Sequence, residues 1–332
     1  MTQANKIRWG ILSTAKIARE QMIPAIHASS SSEVVACASR DQSQADSFAK
    51  QANIPVAYDS YQQLLDDDSI DVIYNPLPNH LHVPWTIKAI EAGKHVLCEK
   101  PIGLDVNEVA QLITVTNKHS HLKVMEAFMY RFHPQWQIAK QRIIQGKLGK
   151  LHGIDAVFTY NNVDPNNVRN MPGIGGGGLM DIGCYCISIA RYLLEKEPLR
   201  VMGKLTIDDD FQTDKHASAM LDFGDIRTSM FCSTQTEASQ RVKVFGEKGN
   251  LTIELPFNPP KMQETKLIWQ HQKAEEIEIV KACDHYVNQV DALANTIVRG
   301  TEAPTPLIDA LANMKVIEAI FASDKEDAWV NI

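Results

Sequence analysis

The sequence predicts an α/β protein, in which an N-terminal doubly wound parallel sheet is followed by a C-terminal α/β domain with a large, mostly antiparallel open sheet. Three observations carry this expectation. From Lys6 to about Met125, short apolar β-like runs alternate with helix-length segments, as when crossover helices cover both faces of a parallel sheet. Beyond about His133 the rhythm shifts to longer β-like segments separated by turn residues, with few helices, the pattern of antiparallel strands. With 332 residues, 44% hydrophobic and 22% charged, the chain is long enough for two cores and unlike disordered, collagenous or coiled-coil sequences.

Taken in order, strands are expected at 7–12, 33–39, 56–58, 71–74, 95–98 and 123–125, each rich in Val, Ile and aromatic residues. Helices are expected between them at 15–28 (interrupted by Pro24), 42–51, 61–66, 82–92 and 106–118. In the last, Val106, Val109, Leu112 and Ile113 recur at helical spacing. A bridging helix at 133–145 marks the change of rhythm. Strands then follow at 153–161, 200–207, 218–223, 228–234, 241–245, 249–254 and 265–269, with turn signals such as Phe223-Gly-Asp and Glu247-Lys-Gly-Asn. One helix at 180–194 interrupts them, and two more, 283–298 and 307–323, close the chain. The domain boundary is placed after residue 126, giving domains 1–126 and 127–332.

Composition narrows function. A net charge of −7 argues against sequence-independent nucleic-acid binding, which needs a concentrated basic surface. No apolar run approaches the roughly 20 residues that span a bilayer, and residues 1–5 are polar, without a signal-peptide pattern. Cys37, Cys98, Cys184, Cys186, Cys232 and Cys283 are scattered without a Cys-x-x-Cys pair or zinc spacing. Reduced packing thiols, no metal site and a cytoplasmic location are the expectation.

The first strand runs Ile7-Arg-Trp-Gly10-Ile-Leu-Ser13-Thr14-Ala15-Lys16-Ile17 into a small-residue turn and a helix. Such a turn lets the backbone approach a pyrophosphate while helix N–H groups point at it. Gly10, Ser13 and Ala15 hold the positions of G-x-x-G-x-[GA]; serine stays small but has no easy access to positive φ. At the tip of the second strand stand Ser39-Arg40-Asp41. A carboxylate there would hold a ribose 2′-hydroxyl, whereas a guanidinium pairs with a 2′-phosphate. NADP(H) is therefore the expected cofactor, with NAD(H) as the other candidate; the competing arrangement leaves Arg40 solvated and gives Asp41 the ribose. After the fourth strand, Asn75-Pro76-Leu77-Pro78-Asn79 fixes an extended backbone, and Asn79 is placed to cap the next helix.

Chemistry is expected in two blocks. Cys98-Glu99-Lys100-Pro101 ends the fifth strand, where a lysine near oxidised nicotinamide would have its pKa lowered; otherwise it is a surface lysine ending a strand. In Gly175-Gly-Gly-Gly178-Leu-Met-Asp181-Ile-Gly183-Cys-Tyr185, a helix begun at Asp181 would put Tyr185 one turn above it on the same face. A carboxylate and a phenol would then converge on one alcohol or carbonyl.

These blocks resemble the glucose-fructose oxidoreductase / inositol dehydrogenase family, Gfo/Idh/MocA. Within it, Trp9-Gly10-Ile11, Ala38-Ser39-Arg40, the run from Glu126 to Pro134 and Asp181-Ile-Gly-Cys-Tyr185 are most similar to the dimeric dihydrodiol and NADP-dependent D-xylose dehydrogenase branch. Many members carry histidine where Tyr185 stands. The resemblance implies a Rossmann domain, a second domain whose open sheet forms a homodimer or larger homo-oligomer, and hydride transfer between NADP(H) and a carbohydrate or diol. It implies that Gly10, Ser13, Thr14, Ala15 and Ile17 hold the pyrophosphate, and Ser39 and Arg40 the 2′-phosphate. Leu77, Asn79 and His82 would line the cofactor, with Glu99 and Lys100 by the nicotinamide ribose and Arg169 reaching cofactor or substrate. Phe128, Arg131, Asp164 and Asp181 would contact substrate, and Lys100, Tyr185 and Asp181 would act in catalysis. A nucleotide-sugar ketoreductase and a non-catalytic dinucleotide-binding regulator are the alternatives. An NAD-assisted glycosidase uses the same architecture, but Arg40 and the missing export signal weigh against it.

Overall fold

The computed structural model describes residues 6–332; the polar stretch 1–5 lies outside them. In chain order the elements are β1 (Ile7–Leu12), α1 (Ile23–Ala28), β2 (Ser32–Ala38), α2 (Gln42–Ala52), β3 (Val56–Tyr58), α3 (Tyr61–Leu65), β4 (Val72–Asn75), α4 (His82–Glu91), β5 (His95–Cys98), α5 (Val106–Lys118) and β6 (Val124–Glu126). There follow α6 (Pro134–Ile144), β7 (Leu151–Asn161), α7 (Cys184–Leu194), β8 (Arg200–Ile207), β9 (Asp214–Asp222), β10 (Arg227–Ser233) and β11 (Gln235–Gly246). Last come β12 (Gly249–Ile253), β13 (Thr265–His271), β14 (Ala274–Val280), α8 (His285–Arg299), α9 (Leu307–Glu326) and β15 (Val330–Asn331).

These elements form two compact units. One holds the described residues up to Met129 together with His285–Leu311, and the other holds Tyr130–Asp284 and Ala312–Ile332. This differs from a single boundary at 126/127. The reason is α8, whose buried face (Tyr286, Val290, Leu293, Ala294) packs on α1 and β2. Its Asp291 Oδ1 accepts from Ser29 Oγ at 2.5 Å and Ser31 Oγ at 3.0 Å.

The first unit is built on a six-stranded sheet ordered β3-β2-β1-β4-β5-β6, every pair parallel. Its central strands are buried on both faces, as parallel strands under helices must be. Asp41, Ser60 and Asp105 cap α2, α3 and α5, each accepting from backbone N–H groups of the first turn. The helix expected at 15–28 opens with a π-turn, Ala18–Met22. Pro24 has no N–H to donate to residue 20 and its ring crowds that carbonyl, which the widened turn accommodates.

The second unit is built on a nine-stranded sheet ordered β14-β13-β12-β11-β7-β10-β9-β8-β15. It is antiparallel except where β7 lies parallel to β10. α7 packs on β7 and β10, burying Ile154, Ala156, Phe158, Met230 and Cys232. The other face is open. Registers align one row across it, Met202–Met220–Ser229–Asp155–Lys243–Thr252–Ile268–Ile277, with Met220 44% and Ile277 48% exposed.

Candidate active site

In the first unit, β1 ends at Leu12 and Ser13 turns the chain at φ +67°. A Cβ disfavours this left-handed region, yet Ser13 occupies it, its Oγ accepting from Ala15 N at 3.3 Å. Gly10 is buried within β1, while Thr14, Ala15 and Ile17 are half-buried around the turn. The turn sits where strand order reverses between β1 and β4, the place where open parallel sheets bind ligands.

At the tip of β2, Ser39 is buried and donates its N–H to Tyr58 O at 3.0 Å. Arg40 is exposed and makes no hydrogen bond or ion pair among the described residues. Asp41 is committed elsewhere: its Oδ1 accepts from Ser43 Oγ at 2.5 Å and Gln44 N at 2.9 Å, which holds its carboxyl below the usual range. The carboxylate starts α2, and the guanidinium is left as the uncommitted charge.

Two loops follow β4 and β5. Asn75, fully buried, donates to His82 O at 3.0 Å and Thr86 Oγ1 at 3.2 Å and accepts from Leu77 N at 3.3 Å. His82 is 1% exposed, with Nδ1 2.8 Å from Pro101 O and Nε2 2.7 Å from Leu77 O. Burial pushes its pKa down to about 4, so at neutral pH the ring donates to only one of these carbonyls. It ties the loop after β4 to the loop after β5. Asn79 opens a 3₁₀ turn, Asn79–Leu81, and α4 starts three residues later at His82, preceded by Leu81, whose side chain makes no cap. Glu99 Oε1 accepts from Tyr74 Oη at 2.6 Å. Burial first, and then the Glu99 charge, raise the Tyr74 pKa and keep it a donor. Lys100 follows, half-exposed, and Phe128 is fully buried just after β6. A left-handed small-residue turn at the sheet's switch point and an uncommitted guanidinium at the next strand tip fit a dinucleotide phosphate.

In the second unit the helix expected at 180–194 opens as a π-turn, Leu179–Gly183, before α7; such widened turns are frequent at functional sites. Asp181 is 8% exposed. Its Oδ2 accepts from Tyr160 Oη at 2.6 Å, and its Oδ1 lies 3.0 Å from Arg169 Nε. Burial and the Asp181 charge raise the Tyr160 pKa, so the phenol stays protonated. Tyr185, four residues on, is 5% exposed and ringed by Tyr130, Phe158 and Phe257 at centroid distances of 5.6, 5.5 and 5.4 Å. Arg131 Nη2 donates to Ser188 Oγ at 2.7 Å and its guanidinium lies over Tyr192 at 5.3 Å. Asp164 is exposed in a turn, accepting from Asn166 N at 2.9 Å.

Residues 7–128 match the oxidoreductase family with an NAD-binding Rossmann fold, and residues 136–252 match the GFO/IDH/MocA C-terminal domain. The chain belongs to the Gfo/Idh/MocA oxidoreductase family. It is 34% identical to D-xylose 1-dehydrogenase (NADP(+)) 2 of Haloferax volcanii, over 98% of this chain and 99% of that one. It is 30% identical to trans-1,2-dihydrobenzene-1,2-diol dehydrogenase of Mus musculus, over 77% of each. Among solved structures it resembles a 3-ketoreductase from Actinomadura kijaniata in complex with NADP and TDP-benzene, with a TM-score of 0.91 at 28% identity and 96% and 98% coverage.

As a Gfo/Idh/MocA oxidoreductase the chain carries its NAD(P)-binding Rossmann sheet in the first unit. In the second unit the structure brings Asp181 and Arg169 into one ion pair, with Tyr185 on the same helical run as Asp181. It adds Tyr160, which sequence reasoning missed because it reads as one more aromatic on a strand. Tyr74 was missed for the same reason, and Asn75 was read only as the start of an extended loop; both sit at the carboxyl end of β4, and that position was their only signal.

Proposed function

We propose that this oxidoreductase prefers NADP(H) and transfers hydride to or from a secondary alcohol or hemiacetal carbon of a sugar or related diol. The observation that carries the reading is the Tyr160–Asp181–Arg169 cluster at the opening of the helical run that bears Tyr185. It is a buried carboxylate with defined donors beside a phenol, suited to orienting one hydroxyl. The nicotinamide cofactor, when bound, supplies the two-electron chemistry. Gly10, Ser13, Thr14, Ala15 and Ile17 would hold its pyrophosphate, and Ser39 and Arg40 its 2′-phosphate. Leu77, Asn79, His82 and Glu99 would set the cofactor-side loops. Lys100 and Tyr185 would divide the proton transfer. Both side-chain types have reference pKa values near 10, so neither is a good base until its surroundings shift it toward neutrality. Asp181 and Arg169 would orient the substrate hydroxyl, Asp164 would meet the outer part of the sugar, and Phe128 and Arg131 would shape the wall.

The likeness of backbone to the ketoreductase supports a second reading, reduction of a 3-keto nucleotide sugar. Further parts of the reading are a cytoplasmic location, in keeping with buried cysteines such as Cys37, Cys98, Cys186 and Cys232 that form no disulfide, and a second copy of the chain covering the open face of the nine-stranded sheet. Absorbance change of NADP(H) across a panel of aldoses, diols and 3-keto nucleotide sugars tests it. Turnover with aldoses or diols is the expected result, turnover confined to 3-keto nucleotide sugars selects the second reading, and no turnover with either cofactor overturns both.

A further inference from the structure

Asp214, the first residue of β9, carries a carboxylate that neither the sequence reading nor the proposed chemistry uses. It is 3% exposed and makes no ion pair among the described residues. Its partners are backbone N–H groups of the glycine-rich run. Leu179 N donates to Asp214 Oδ2 at 2.6 Å, and the neighbouring Gly178 N–H adds a favourable interaction with the charged carboxylate. The run is fitted around it. Gly177 stands at φ +111°, and a Cβ there would lie 1.9 Å from Asp214 Oδ1, so no other residue shares this space. On its far side the run is fastened to the Arg169 loop, with Gly177 N donating to Arg169 O at 2.8 Å. Gly177 O in turn accepts from Asp181 N at 3.0 Å. The carboxylate is therefore two hydrogen bonds away from the placement of Asp181.

We propose that Asp214 is a positioning residue, whose ionised carboxylate fixes the glycine-rich turn and through it Asp181 and the start of the run bearing Tyr185. This rests on the reading of Asp181 and Tyr185 as site residues. A buried carboxylate without a cation is costly, and a neutral acceptor would cap the turn with less penalty, so the charge calls for an explanation in the site. Its ionisation falls near neutral pH. Burial first, then the negative charge of Asp181, push its pKa up to about 7 against the N–H donors that favour the charged form. The other titratable group facing it is Cys232 on β10, a fully buried thiol pushed up by burial and by its neighbours. Above about pH 7 the ionised carboxylate accepts from Leu179 N at full charge; below it, one oxygen carries a proton and the grip loosens. Because this pKa is raised on folding, Asp214 disfavours the folded state as pH rises from about 4 to about 7. Removing the charge thus spares stability above pH 7 while freeing the turn.

The test is amide hydrogen exchange of residues 175–183 with kcat measured alongside. In the wild type, protection of the Leu179 and Gly178 amides, corrected for intrinsic rate, rises as pH passes through about 7. In Asp214→Asn at pH 8 the same amides exchange about tenfold faster, the size of one lost charge-assisted hydrogen bond, without a lower melting temperature. kcat falls with NADPH affinity intact, and any inflection of kcat near pH 7 disappears. Asp214→Ser serves if the amide variant does not fold, and the wild-type exchange profile needs no variant. Protection that is flat in pH, or unchanged in Asp214→Asn, overturns the proposal. Altered exchange in a protein that turns over no sugar or diol would leave Asp214's role standing and the functional reading refuted.

Discussion

Arg40 offers a direct handle on cofactor choice. Asp41, the neighbour that could compete for the ribose, is spent on Ser43 and Gln44 at the start of α2, and Arg40 is exposed and uncommitted. A 2′-phosphate would therefore meet one guanidinium with no carboxylate partner to displace. Hydrogen bonds to charged groups contribute roughly 1.5–3 kcal/mol, which converts to about 10- to 150-fold in affinity. Exposure and salt place the expectation toward the lower end. Arg40→Ala should weaken NADPH about tenfold or more while leaving NADH nearly unchanged, as measured by calorimetric titration at fixed ionic strength. Raising salt should shrink the difference. Equal losses for both cofactors, or none for NADPH, would refute the phosphate contact.

Three further outcomes are expected. Ser13→Gly relieves a left-handed serine, a strain of about 1–2 kcal/mol, partly offset by the extra freedom of glycine in the unfolded chain, about 0.4–1 kcal/mol. Urea unfolding should show equal or slightly raised stability, and a clear loss would mean that the Ser13 Oγ–Ala15 contact outweighs the strain. His82 is neutral when folded, with a pKa of about 4, whereas the unfolded chain takes up a proton below about 6.5. Its contribution is present above pH 6.5 and lost as pH falls toward 4, by up to about 3 kcal/mol; the stability gap between wild type and His82→Gln should narrow over that window, and a gap constant in pH contradicts it. Sedimentation at micromolar concentration should give a species of two or more chains that Met220→Arg, on the open sheet face, converts to one. A wild-type monomer rules the assembly out.

Much of the fold was legible because its signal is local. The six parallel strands announce themselves as short apolar runs, since both of their faces are buried, and all six were found within a residue or two. β14 was missed: Glu275, Glu276 and Glu278 mask the alternation of an edge strand whose Ile277 and Ile279 stay about half exposed. β11 proved longer than expected because its first half, from Gln235 to Gln240, is polar and exposed. The division of the chain was not legible either. α8 reads as an amphipathic helix, and no local pattern says that its apolar face belongs on α1 and β2. At the site, Asp181 and Tyr185 stood out through their glycine-rich setting, and Arg40 through its place at a strand tip. Tyr160, Tyr74 and Asp214 did not, because what marks them is a partner distant in sequence: Asp181 lies 21 residues from Tyr160 and Glu99 lies 25 from Tyr74, and Leu179 lies 35 from Asp214.

The central claim, that Lys100 and Tyr185 serve one proton-transfer step, is tested most directly by a double-mutant cycle on kcat with a turned-over sugar or diol. Lys100→Met and Tyr185→Phe should each leave NADPH affinity nearly intact and lower kcat by about 10²–10⁴-fold, the usual range for a positioned acid or base. The double variant should cost little more than the worse single variant, since groups acting as a unit are far from additive. Losses that multiply in the double variant, or a Tyr185→Phe effect confined to KM, would contradict a shared step.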